Sequence, residues 1–592
     1  MIERKDQKTE DTWDLSLLSP DDRTWEKDLG KLRRKISKLD RLKGTLKNGP
    51  DALYDALVSL KEASMEAERL GNYAFLKFSA DASDAEVQKH YMMYDSLSNL
   101  FSEKTSWFSP ELMSIPEEDI RKWMKEPRYK EFRVWLKKAL RERKHVLSDK
   151  EERILSLYSQ CSGNAQKAFS DLNNIELTFE DVRGEQLSHA TFAKFIRSTD
   201  ESIREEAYTK YYKAFDDHKH VISDLYTASI NEDIFTARAR HFNSSLEDAL
   251  FPDNISKSVY LSLIKAVHEA FPVLHEYYEV KAKVLGKDKL KHWDVYIPMA
   301  PVYKAEHSYD EAVALISEAV KPLGEEYRAK IISGLTEERW VDRYENKGKR
   351  SGAFSSGGYI GNPYILTNFE PTVLDSVFTL IHEGGHSMHS WYSTHNNPYM
   401  CYSYSIFEAE VASTFNENLL SHYLLENSTD DDEKAYLLGK NLDDIVATLF
   451  RQTMFAEFEL VIHEKAEKGE PVTLDIMRQV YRSLLEEYFG PTLEFADVSD
   501  LECLRIPHFY TAFYCYKYAT GLSASIALSK RVLNGGEKER DDYLSFLKSG
   551  GSRYPIQALR LAGVDMSTPA PVKAATEHFS SLLSEFRSLR GI

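Results

Sequence analysis

The stretch Thr372-Val-Leu-Asp-Ser-Val-Phe-Thr-Leu-Ile-His-Glu-Gly-Gly-His-Ser-Met-His-Ser-Trp391 decides the reading of this chain. Val377, Phe378, Leu380 and Ile381 supply the apolar packing of a helix, and Thr372 with Asp375, just after Pro371, reads as its start signal. Within it lies His382-Glu383-Gly384-Gly385-His386, an H-E-x-x-H. Residues four apart on a helix stand one above the other, about 5–6 Å between Cβ atoms, so two imidazoles can hold one metal ion. Glu383 is then placed to reach a water bound to that ion. Each glycine lowers helix propensity by roughly 1 kcal/mol, so Gly384 and Gly385 make sense if something must come close beside the metal. A helix can also carry two histidines by accident, and the rest of the chain has to supply the missing parts.

A catalytic zinc takes three protein ligands and keeps one position open. Candidates for the third are His389, His395, Glu408 and Glu410. His389 shares the face of His382 and His386, but three successive turns of a rigid helix do not close round one tetrahedral ion. It is read as support rather than ligand. The next helix, Phe407-Glu-Ala-Glu-Val-Ala-Ser-Thr-Phe-Asn-Glu-Asn418, is the better source. Glu410, Ser413, Thr414 and Glu417 fall at i, i+3, i+4 and i+7, a polar stripe beside Phe407, Val411 and Phe415. Such a stripe is usually a solvated face. Here it can point at a metal, with Glu410 as ligand and Glu417 as acceptor for an imidazole N–H, although the stripe alone does not separate Glu410 from Glu408.

Upstream, Lys347 to Phe369 holds five glycines and then a β-type run, Tyr364-Ile-Leu-Thr367. Glycine in strands lets another backbone approach, so a hairpin here would offer an edge to an extended peptide. Gly352, Ala353 and Phe354 are its candidate substrate-binding positions. No G-x-x-x-x-G-K-[ST] occurs, which sets nucleotide binding aside.

The 592 residues are 42% hydrophobic and 29% charged, with a formal net charge of −18. That balance fits an ordinary soluble chain large enough for more than one lobe, and argues against nucleic-acid or anionic-membrane surfaces. Cys161, Cys401, Cys503 and Cys515 form no visible framework, which suits a reducing cytoplasm. There is no signal-peptide pattern and no apolar run of membrane length.

From Asp21 to Leu147 the pattern is helix after helix, with Asp21-Asp22 capping Arg23 to Leu46 and a Ser83/Glu86 capping box before a segment reaching Trp107. The alternation of Ile175 to Phe179, with a turn at Arg183-Gly184-Glu185, predicts a β-hairpin, and Trp293 to Ile297 predicts a strand. Helices return over Thr199–Glu232, Tyr309–Lys321 and the tail. The class is mainly α. The expected division is an N-terminal helical region over 1–110, a helical subdomain ending in the hairpin over 111–195, and a catalytic domain over 196–592.

At this point the chain resembles a known family. His382-Glu-Gly-Gly-His-Ser-Met-His389 looks like the H-E-x-G-H-x-x-H of the thimet oligopeptidase family, and Glu410-Val-Ala-Ser-Thr-Phe-Asn-Glu-Asn418 is similar to that family's second metal helix. Glu-Ala-Glu-Val-Ala-Ser, with Ser-Gly-Ala-Phe-Ser-Ser-Gly-Gly-Tyr upstream, is similar to the oligoendopeptidase F branch. The resemblance implies Glu410 as third ligand, one Zn2+ per chain, and a two-lobed helical body with a deep channel. It also implies a His and one or two tyrosines that bind substrate and oxyanion within Ile506-Pro-His-Phe-Tyr-Thr-Ala-Phe-Tyr-Cys-Tyr-Lys-Tyr518. His508 fits. In a continuous helix Tyr516 lies near the same face and is the candidate catalytic tyrosine beside His508, while Tyr510, Tyr514 and Tyr518 share another; Tyr510 and Tyr514 are candidate substrate contacts.

The expected function is a zinc-dependent endopeptidase acting on short unfolded peptides in the cytoplasm, with Glu383 taking the proton of the attacking water. A monomer or simple homo-oligomer is expected. Two alternatives stand beside it: a carboxy-dipeptidase with the same zinc site, and a non-catalytic peptide-binding protein.

Overall fold

The computed structural model describes residues 2–158, 162–301, 303 and 306–592; Cys161 lies outside these. The described chain is mainly α, with five strands of two or three residues each. It divides into two compact units, each drawn from three stretches of sequence. The first comprises Met1–Asp149, Lys304–Tyr423 and Leu528–Val564, and the second Lys150–Tyr303, Leu424–Ala527 and Asp565–Ile592. Among the described residues no helix is long and apolar enough to cross a membrane.

The first unit begins with three long helices, Asp22–Leu39, Pro50–Ala80 and Ala85–Thr105. Asp21 caps the first, accepting from the Thr24 N–H at 2.7 Å. That helix stops at Leu39 rather than Leu46, where two short 3-10 turns take over. The third is capped by Asp84, not Ser83: the Asp84 carboxylate accepts from the N–H groups of Glu86 and Val87, while Ser83 turns back to Asp81. Trp25, Leu29, Leu32 and Ile36 form one buried stripe, and the Trp25 indole donates to the Leu70 carbonyl at 2.9 Å.

This core continues onto a small sheet. Strand β1 (Leu290–Lys291) pairs with β5 (Leu493–Glu494) in the second unit. In the first, β2 (Val341–Asp342), β3 (Phe354–Ser356) and β4 (Tyr364–Leu366) stand in the order β2-β4-β3. The central β4 is fully buried and runs parallel to β2 and antiparallel to β3, with Ser355 opposite Ile365. The glycine-rich stretch therefore does form a hairpin, and β3 is its edge.

Two expected β elements are not strands. Ile175 sits in a π-turn, Leu172–Glu176, and is 76% exposed; only the bridge Val182–Glu185 remains of the hairpin. An alternating pattern with an exposed apolar side has no sheet to join. Trp293 lies in a 3-10 turn, His292–Tyr296, pinned because the buried Asp294 accepts from Arg204, Lys287 and the Lys291 N–H. In the second unit the long helix Glu201–Ala239 extends past the expected end, and the last helix, Ala570–Arg590, packs against Asp431–Ile445.

Candidate active site

The first unit carries the histidines on the helix Asp375–Asn396 and the stripe glutamates on Ile406–Asn427. The histidine helix has Leu374 as its cap residue with no side-chain cap; the Thr372 hydroxyl donates to Glu370 instead, so the start signal read at Thr372 is not used. The His382 and His386 rings stand at 4.8 Å and 83°. His382 Nε2 lies 3.8 Å from Glu410 Oε2. One ligand atom from each of His382, His386 and Glu410 lies within 4.8 Å of the others, the arrangement of a group able to hold a metal ion.

The surroundings fit such an ion. The far nitrogen of His382, Nδ1, is 2.7 Å from Glu417 Oε1, which leaves Nε2 turned to Glu410. His386 bonds the Ala409 backbone. Glu410 Oε2 accepts from the Ser413 hydroxyl at 3.2 Å. Each donor is thus oriented by a partner behind it, as metal-ligating side chains require. Burial pulls the His382 ring down, but the charge and hydrogen bond of Glu417 outweigh it and hold the ring at about 9. Burial and the neighbouring His382 push His386 well below the usual range.

The two glycines explain how the helices come together. A Cβ on Gly385 would meet the backbone of Ala412 and Ser413, and one on Gly384 would meet Ile331. The close neighbour expected from the sequence is therefore the glutamate helix itself. Glu383 is buried, and that burial pushes its carboxyl up to about 7. It accepts from the Ser355 N–H on the edge strand. Ser355 Oγ is 2.8 Å from Ser387 Oγ of the histidine helix.

Strand alternation sends the neighbours of Ser355 the other way. The Phe354 ring lies 5.2 Å from Phe75 and 6.5 Å from Trp13, and the Ser356 hydroxyl donates to Asn72. Gly352, at φ +80°, has open space around it, with Ala353 half-buried beside it. Ser355 was not picked out from the sequence; the two-residue period of the run was the available signal.

The other ligand candidates are engaged elsewhere. His389 is fully buried, its ring stacked 3.7 Å from Tyr404, and burial holds it at about 3. Glu408 accepts from the Ser405 N–H at the start of its own helix. His395 bonds the Trp391 carbonyl.

The tyrosine-rich run belongs to the second unit and is not a continuous helix. Pro507–Tyr510 is a 3-10 turn, Phe513 takes a left-handed φ of +55°, and a helix begins only at Tyr516. This break corrects the expected faces. His508 gathers Tyr514, at 5.9 Å and nearly parallel, and Tyr518, whose hydroxyl is 3.4 Å from His508 Nε2. Tyr516 is not with them: its ring is buried 5.1 Å from Tyr260. Tyr510 stacks on Phe169 at 4.4 Å.

Comparison with known proteins gives this geometry its family. The profile of peptidase family M3 matches residues 195–578, and that of Oligopeptidase F matches 111–179. The chain is 38% identical to the oligoendopeptidase F homolog of Borreliella burgdorferi, covering 100% of both chains. It is 39% identical to oligopeptidase PepF of Bacillus subtilis, covering 99% of this chain and 88% of that one. The crystal structure of oligoendopeptidase-F from Enterococcus faecium superposes with a TM-score of 0.75 at 32% identity, covering 96% of this chain and 99% of that one. Fold and matches define a metallo-oligopeptidase. The chain belongs to peptidase family M3, in its oligoendopeptidase F branch, and is a metalloendopeptidase.

Proposed function

We propose that the protein is a zinc-dependent endopeptidase that cleaves internal bonds of short unfolded peptides, with one Zn2+ held by His382, His386 and Glu410. The observation that carries this is the convergence of those three side chains within 4.8 Å, with Glu383 on the same helix. A His2Glu donor set with partners behind it suits a catalytic zinc. When bound, zinc supplies a Lewis acid that polarises the scissile carbonyl and lowers the pKa of water.

Glu383 takes a proton from the attacking water and later returns it to the departing amine. A carboxyl pushed up to about 7 by burial is suited to both. The chain that leads into β3, over Gly352 and Ala353, pairs with the extended substrate. Phe354 itself serves as support for that stretch, because its ring is taken up in packing and its main chain faces Leu366 of β4. His508, Tyr514 and Tyr518 bind the substrate and stabilise the oxyanion. The free, buried Cys401, Cys503 and Cys515 support the cytoplasm as the place of work.

Hydrolysis of a terminally blocked, internally quenched peptide tests the reading. The native protein should cleave it internally, and Glu383→Gln should keep its zinc and lose turnover. Cleavage only of peptides with a free carboxyl terminus would favour a carboxy-dipeptidase, and zinc binding without turnover in the native protein a peptide-binding role.

A further inference from the structure

Within the second unit, Glu459 has no part in the chemistry above. It lies on the helix Arg451–Glu467, fully buried. Its Oε1 accepts the N–H of Phe513 at 2.9 Å, and the Cys515 thiol faces the same carboxyl. Burial holds this carboxyl well above the usual range.

The two residues it engages flank Tyr514. Phe513 and Cys515 both point inward and are buried; the Phe513 ring is 4.6 Å from His463 and 5.8 Å from Tyr260. Phe513 is also in the left-handed region, at φ +55°, which a bulky residue adopts only when its surroundings enforce it. The hydrogen bond from its N–H to Glu459 fastens this conformation. With residues 513 and 515 held inside, Tyr514 is turned outward against His508 and Tyr518.

We propose that Glu459 is a positioning residue: by holding the main chain of Phe513 in its left-handed turn, it sets Tyr514 against His508. The inference rests on the reading that His508, Tyr514 and Tyr518 engage the substrate. The alternative is a core residue whose removal lowers stability alone.

Steady-state kinetics on the blocked quenched peptide, with zinc content and thermal unfolding measured beside them, separate these. Glu459→Gln preserves shape and an acceptor, and should keep kcat/KM within about threefold of native. Glu459→Met fills the volume without an acceptor and should lower kcat/KM at least about tenfold, mainly in kcat, with zinc content unchanged. Glu459→Asp, which retracts the acceptor by one methylene, should act in the same direction and serves if the Met variant does not fold. In the double variant Glu459→Met with Tyr514→Phe, the losses should not multiply, because one acts through the other. Normal kcat/KM in both Tyr514→Phe and His508→Ala overturns the underlying reading, and this inference with it. Reduced kcat/KM in those two variants with normal kinetics in Glu459→Met and Glu459→Asp overturns this inference alone. So does a loss on Glu459→Gln equal to that on Glu459→Met, or full multiplication in the double variant.

Discussion

Gly385 lies so close to Ala412 that a Cβ on it would sit 2.6 Å from the Ala412 carbonyl oxygen. No real Cβ tolerates that approach to a backbone atom, so the histidine and glutamate helices touch main chain to main chain at this point. The contact brings Glu410, two residues before Ala412, to His382 and His386. Gly385→Ala must push the helices apart. Overpacking costs about 1–3 kcal/mol, and about 1.4 kcal/mol is a factor of ten in an equilibrium constant. Zinc affinity measured by chelator competition is expected to fall roughly tenfold or more. Gly384→Ala, which meets only the flexible end of Ile331 at 3.0 Å, should fall less.

Glu417 offers a milder perturbation. Its carboxylate is the partner of His382 Nδ1 at 2.7 Å and is partly exposed, so Glu417→Ala should leave the fold intact. Zinc affinity is expected to drop roughly 10–100-fold, the usual cost of losing such a partner. An unchanged affinity would mean that His382 is oriented by its helix alone.

Ser355 gives Glu383 its backbone donor. Because that N–H points at Glu383, proline at this position spares the pairing with β4. A hydrogen bond to a charged group is worth about 1.5–3 kcal/mol, so Ser355→Pro is expected to lower kcat/KM roughly tenfold or more. Ser355→Ala, which keeps the N–H, should stay near native, and the comparison isolates the backbone group.

Acid stability follows from His292. This histidine is fully buried, hydrogen-bonded through Nδ1 to the Tyr208 hydroxyl at 2.7 Å, and burial lowers it from 6.5 to about 3. Between those values the unfolded chain binds a proton that the folded chain refuses. The contribution to stability is therefore complete above pH 6.5 and is lost as the pH falls towards about 3. The slope from one such group is about 1.4 kcal/mol per pH unit. Urea unfolding across pH 4 to 7 should show this slope in the native protein, and a shallower one in His292→Gln.

What could be read from the sequence divides along a physical line. His382 and His386 are legible because helical spacing alone puts them on one face, and Glu383 because it adjoins the first of them. Glu410 and Glu417 are legible to the extent that their stripe is, since both lie on one unbroken helix. The tyrosine cluster is not, because the left-handed turn at Phe513 resets the phase of every residue after it, and no residue type there announces the turn. Nor is the 3-10 turn at Trp293, which owes its shape to Arg204 and Lys287, far and near in the chain. Periodicity survives within an element and fails where distant partners bend the backbone.

The three-part make-up of each unit carries a consequence for how the molecule comes into being. The stretch Leu528–Val564 belongs with the N-terminal helices, and the last helix, Ala570–Arg590, closes against Asp431–Ile445. The first unit lacks a piece until Leu528–Val564 has been made and the second until Asp565–Ile592 has, so a nascent chain emerging from the ribosome must hold open apolar faces until then. The loop-closure entropy of joining such remote segments falls due late and together. Loss of the final helix in a truncated product should therefore trap the second unit as an incomplete, chaperone-bound species, long after the histidine helix itself has been made.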